Sequence, residues 1–199
     1  MSAPDSAFYF DLASPLAYLA AEQVGPLLGP LRWIPVLAGE LPNAESFEAF
    51  RCQQEQDIFR SEVQRRATEL QLQQMRWPPQ FPFDSTLAML VATYAAQIGR
   101  AAPFALAAFR QAFAGAHNLA ELDFVLIAAA ACEMHPRAVR QSTERVSVRE
   151  ELANATRLAA AGGVRDVPAV RVRERVFHGE RALSDAAQYA REIDGASVS

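Results

Sequence analysis

Apolar positions along the chain follow two periods and one interruption. Phe8, Tyr9 and Phe10 form a short run of strand formers, and from Pro15 to about Leu28 the spacing turns helical, ending where Gly25, Pro26, Gly29 and Pro30 punctuate a turn. Leu31 to Leu37 then reads as a second, largely buried strand. From about Glu45 to Ala161 the pattern is helical, broken by proline and glycine clusters. Its first part, Ser46 to Leu72, is polar with scattered apolar positions, which suits a lid over the protein or an ordinary surface helix. Met75 to Asp84 carries Pro78, Pro79 and Pro82 and is a stiff aromatic loop. Three helices with apolar stripes follow, Ser85 to Gly99, Pro103 to Phe113 and Ala120 to Cys132, and then one from Thr143 to Ala161 that stops at Gly162-Gly163. Beyond them the pattern predicts a strand from Asp166 to Arg173, a turn at Arg173-Glu174-Arg175, a short strand from Val176 to His178 and a last helix from Leu183 to about Ile193.

Two strands joined by one helix make a βαβ unit with parallel strands and a right-handed crossover. The order is therefore β-α-β, a long helical block, then β-β-α. This predicts an α/β, thioredoxin-like fold with a large all-helical domain inserted in its middle: residues 1–42 and 162–199 form the discontinuous thioredoxin-like domain, and residues 43–161 the insertion. A doubly wound nucleotide fold is disfavoured, because no G-x-G-x-x-G follows the first strand.

Composition narrows the function more than the fold. With 51% apolar and 21% charged residues the chain is ordinary for a globular protein, and a net charge of −4 without a basic stripe argues against nucleic acid. The longest apolar run, Phe124 to Cys132, is too short to span a bilayer, and the N-terminal residues lack a signal-peptide pattern, so no membrane partner and a cytoplasmic location are expected. Cys52 and Cys132 stand far apart with no Cys-x-x-Cys and read as packing residues; His117, His135 and His178 have no metal-ligand spacing, and no metal is expected.

The candidate chemistry lies at Ser14-Pro15. Serine is a favoured N-cap and proline a favoured first helical residue. A helix N-terminus offers unpaired N–H groups and a positive dipole end to an anion, and a serine hydroxyl adds a donor, so a thiolate fits there. The same residues fit a helix cap with no further role. Val167-Pro168 opens the third strand; in a thioredoxin-like arrangement a cis-proline stands there, facing the first helix N-terminus. The Val167 N–H and C=O then point outward for a peptide-like thiol to pair with as an added strand.

Tyr9-Phe-Asp-Leu-Ala-Ser-Pro-Leu-Ala-Tyr-Leu-Ala20, Arg65-Arg-Ala67 ahead of Trp77-Pro-Pro-Gln-Phe-Pro-Phe-Asp-Ser85, and Gly163-Val-Arg-Asp-Val-Pro-Ala169 resemble the 2-hydroxychromene-2-carboxylate isomerase family. That family groups with kappa-class glutathione transferases in the DsbA-like thioredoxin superfamily. The resemblance implies a glutathione-dependent cis-trans isomerase of aromatic degradation, with Ser14 as the catalytic serine that holds glutathione as its thiolate. It further implies Val167, Pro168, Glu180 and Arg181 as glutathione-binding residues, Trp77 and Phe81 in a pocket for a small aromatic substrate, and a homodimer. Asp166 stands where the family usually has glycine, and Leu90 where an arginine is common. Two other functions share these motifs: a kappa-type transferase that conjugates electrophiles, and a non-catalytic binding protein of the same fold.

Overall fold

A computed structural model describes residues 6–42, 52–179 and 181–196. The run Ser6–Phe10 forms β1, with every residue buried, and the helix Pro15–Leu28, α1, follows after a tight turn. Arg32–Pro35 makes β2, shorter than the apolar pattern predicts, and Ala38–Glu40 adds a single 3-10 turn. The helices between β2 and β3 are α2 (Gln53–Glu69), α3 (Thr86–Gln97), α4 (Ala101–Phe113), α5 (Leu122–Ala130), α6 (Pro136–Glu144) and α7 (Val146–Ala161). The chain then returns to the sheet through β3 (Ala169–Val172) and β4 (Arg175–His178), and ends in α8 (Ala182–Ala196).

The sheet order is β2-β1-β3-β4, with β1 parallel to β2 and antiparallel to β3, and β3 antiparallel to β4. This is the thioredoxin-like α/β arrangement that the element order predicts. One sheet face carries Phe8 and Phe10, whose rings meet Trp33 edge-on at 4.9 and 5.8 Å and continue into Phe109 of α4. This cluster runs on through α1, α3, α4 and α5, so the helices and the sheet share one apolar core. The other face buries Ala7, Tyr9 and Ala169 against Ala159 of α7 and Val36.

Two expectations need correction. The helix expected from Thr143 to Ala161 begins at Val146, as α7, and a separate helix that the apolar pattern does not predict, α6, runs ahead of it from Pro136 to Glu144. Arg145 is extended (φ −73°, ψ 124°) between α6 and α7. Pro136 starts α6 at a position where its missing N–H does no harm, and the His135 ring nitrogen accepts from the Arg137 N–H at 3.2 Å. The strand expected from Asp166 begins only at Ala169, because Pro168 has no N–H to offer a ladder and the Val167 N–H is bonded to the Asp166 carboxylate. Helix α2 begins at Gln53, residues 43–51 lying outside the described part, and it packs inward through Val63 and Ala67 with Phe59 against Trp77. No described helix is long and apolar enough to cross a membrane.

Candidate functional site around Ser14

Four chain segments converge at one end of the sheet. There β1 and β2 finish, β3 starts and β4 finishes. The β1–β3 register pairs Tyr9 with Ala169; continued two steps, it brings Val167 level with Asp11, so residues 166–168 share this end with the turn leading to Ser14.

Ser14 is the N-cap of α1, as the sequence predicts. Its backbone is extended (φ −89°, ψ 113°), its Oγ accepts from the Ala17 N–H at 3.2 Å, and Pro15 takes the first helical position. The side chain is half-buried. Because Oγ serves the cap as an acceptor, its own hydrogen is left to donate outward, in the direction in which the helix dipole favours negative charge.

Sequence reasoning missed what holds this turn. Asp11 is 4% exposed, and its two carboxyl oxygens accept from the Ala13 N–H and the Ala38 N–H, each at 2.9 Å. The Ser85 hydroxyl donates to it as well, and the Ser14 N–H donates to the Asp11 carbonyl at 3.0 Å. One carboxyl group thus ties the turn before α1 to the segment after β2 and to the start of α3. Burial pushes its pKa above the usual carboxylate value, and nearby Asp84 pushes the same way against the three donors. The available signal was an aspartate at the end of an otherwise apolar strand, three residues ahead of the cap.

His178, at the end of β4, is a second missed residue. Its Nε2 accepts from the Arg165 N–H at 3.0 Å and the ring also donates to the Gly163 carbonyl, which fixes the loop carrying residues 166–168. Burial and the Arg165 charge lower its pKa, against the Gly163 bond. The neutral ring is therefore the folded form, and its contribution to stability is present above the unfolded value of 6.5 and lost as pH falls through that value towards the lower folded one. In urea unfolding, the parent should lose stability between pH 7.5 and about 5.5 more steeply than His178→Gln; equal slopes would remove His178 from this role.

Val167 and Pro168 stand where the sequence places them, joined by a cis bond, and a second cis bond joins Phe81 to Pro82. The Val167 N–H does not point outward unpaired: it donates to Asp166 Oδ1 at 2.6 Å. Arg181 is also engaged, 3.3 Å from Asp185 at the start of α8, while Glu180 lies outside the described residues. Trp77 and Phe81 form an aromatic cluster with Phe113, which stacks on Tyr18 one turn along α1 from Ser14. Trp77 also meets Phe59 and the Arg60 guanidinium, and both Trp77 and Phe81 are half-buried. Leu90 is a buried core residue of α3. Cys52 is exposed, and Cys132 is buried with its thiol pKa raised by burial.

The thiolate half of the expected glutathione site fits these residues, whereas the donor for a peptide carbonyl is already taken within the chain. Comparison with solved structures gives the fold a context. The 2-hydroxychromene-2-carboxylate isomerase structure superposes with a TM-score of 0.82 at 17% identity, covering 98% of each chain. A probable DsbA oxidoreductase from Streptomyces coelicolor gives 0.79 at 15% identity over 96% of this chain and 89% of its own. The cytosolic disulfide reductase DsbM from Pseudomonas aeruginosa, solved with GSH, gives 0.62 at 15% identity over 94% and 98%. At these identities the likeness is one of fold. A sequence comparison with curated proteins finds no match. Residues 7–190 match the family described as the DSBA-like thioredoxin domain, and the chain belongs to that family.

Proposed function

We propose that the protein is a glutathione-dependent cis-trans isomerase acting on a small aromatic-degradation intermediate like 2-hydroxychromene-2-carboxylate. The observation that carries this reading is Ser14 itself: a serine at the N-cap of α1, its hydroxyl hydrogen left over by the cap, at the sheet end shared with Val167-Pro168. A cysteine pair at this place would suit disulfide exchange; serine removes that chemistry while keeping an anion site. The likeness to an isomerase structure over nearly the whole chain supports the reading.

When bound, glutathione would supply a thiolate for reversible addition to a conjugated double bond, whose π electrons would pass to the substrate's conjugated oxygen and leave a rotatable single bond until the thiolate is expelled. The chain's own part is electrostatic. The Ser14 hydroxyl donates to the sulfur anion, the α1 N-terminus adds its dipole, and Asp11 holds the turn that aims both. A kappa-type transferase would use the same groups and differ in its product, a conjugate instead of an isomer. The non-catalytic reading draws support from the Asp166 bond to the Val167 N–H, which occupies a ligand donor.

The test is Ser14→Ala, assayed by glutathione calorimetry and by isomerisation of the chromene carboxylate. A hydrogen bond to a charged group contributes about 1.5–3 kcal/mol, so binding of the thiolate and turnover should fall about 10- to 100-fold. Unchanged turnover would sink the assigned role, and a stable glutathione conjugate among the products would favour the transferase.

A further inference from the structure

We propose that Asp166 sets the affinity of this site for peptide-like thiols by occupying, with its own carboxylate, the Val167 N–H that the carbonyl of such a thiol would take. The inference rests on the glutathione reading of the Ser14 site and adds to it a specificity-determining residue.

The Val167 N–H donates to Asp166 Oδ1 at 2.6 Å, short for an N–H···O bond and of the charge-assisted kind. The backbone around it is held on both sides. His178 accepts from the Arg165 N–H at 3.0 Å, and Val170 and Ala169 are already paired with Phe8 and Tyr9 of β1. With its neighbours fixed, the Val167 N–H is a donor of set position, and Val167 is only 6% exposed, so water competes poorly for it.

A peptide lying along residues 166–168 as an added strand needs one main-chain donor and one main-chain acceptor from the protein. Here the donor is satisfied before any ligand arrives. Binding must exchange a carboxylate for a neutral carbonyl, which is the weaker acceptor, and must leave the displaced carboxylate beside a ligand that is itself anionic. A residue without a side-chain acceptor at position 166 would leave the same N–H open. Asp166 therefore disfavours glutathione and any other thiol that docks through a peptide carbonyl, and leaves unpenalised a thiol held through its sulfur alone.

Glutathione calorimetry on the full-length parent, Asp166→Ala and Asp166→Asn tests this. Asp166→Ala should bind about tenfold more tightly, the equivalent of 1.4 kcal/mol. Asp166→Asn loses the charge but keeps an amide oxygen for the Val167 N–H, and should recover less than half of that gain. Equal gains in the two variants would assign the effect to charge alone and overturn the proposal, as would an alanine variant that binds no tighter than the parent. The Val167 amide resonance gives a readout independent of affinity and activity. In the parent it should move on glutathione addition as its acceptor changes, and in ligand-free Asp166→Ala its hydrogen should exchange faster. If glutathione shifts the Ala17 amide but not that of Val167, the Ser14 reading stands and the role of Asp166 falls. Absence of binding in all three proteins at millimolar glutathione would overturn both.

Discussion

Asp11→Ala should destabilise the protein by about 3 kcal/mol, read from urea unfolding at neutral pH. The substitution orphans the Ala13 N–H, the Ala38 N–H and the Ser85 hydroxyl in a place where the parent side chain is 4% exposed. Each buried donor left unmade costs about 1–3 kcal/mol. The sum is reduced because the parent bears the desolvation of a carboxyl group whose pKa burial raises. Since the folded carboxyl holds its proton more tightly than the unfolded one, its contribution is greatest below the unfolded value of 3.8 and declines as pH rises from there through the higher folded value. The difference between parent and Asp11→Ala should accordingly be larger near pH 4 than at pH 7. Asp11→Asn, which retains one acceptor oxygen, should cost less and lack this slope. A loss under 1 kcal/mol for alanine would mean that the three segments hold their places without the strut, and a difference that widens with rising pH would mean the donors, not burial, govern Asp11.

The route from β1 to Ser14 illustrates what a sequence can carry. The Phe8–Phe10 strand, the Ser14 cap and the Pro15 start were legible because each is a local preference: a run of strand formers, a hydroxyl ahead of a helix, a proline where no N–H is needed. The order of elements then led to the thioredoxin-like fold, since short strands around a helical block leave few ways to build one sheet. Asp11 was not legible, because its partners lie on the segments containing Ala38 and Ser85, and long-range hydrogen bonds leave no period in the sequence. The same holds for His178, whose partners at Gly163 and Arg165 come close only once β3 and β4 are paired. Asp166 was visible as an unusual residue, but its grip on the adjacent N–H depends on backbone angles that sequence patterns do not contain. Helix α6 was lost for a local reason: His135 is an uncommon cap, so the Pro136 start went unread.

Phe113→Ala should cost about 3–5 kcal/mol, the usual range for deleting a buried phenylalanine ring. Phe113 is fully buried at the end of α4, stacked on Tyr18 with ring centres 5.7 Å apart and meeting Trp77 and Phe81 edge-on at 6.0 Å each. Its carbonyl also accepts from the Arg76 N–H at 2.8 Å, so the ring and backbone of one residue fasten the aromatic loop to α1 and α4. Trp77 reports on this directly. In a Trp33→Phe background, Trp77 is the single tryptophan, and Phe113→Ala should shift its emission to longer wavelength as one side of the indole opens to water. Phe113→Leu fills much of the space and should cost about 1–1.5 kcal/mol with a smaller shift. Unchanged emission in Phe113→Ala would show that Phe59, Phe81 and the Arg60 guanidinium 5.4 Å from the indole centre hold the loop unaided. The outcome also separates two roles for Trp77 and Phe81. If loosening the cluster lowers stability while glutathione affinity at Ser14 is kept and the aromatic substrate's KM rises, these rings shape a substrate wall. A fall in stability with both constants unchanged leaves them as packing for the helical block.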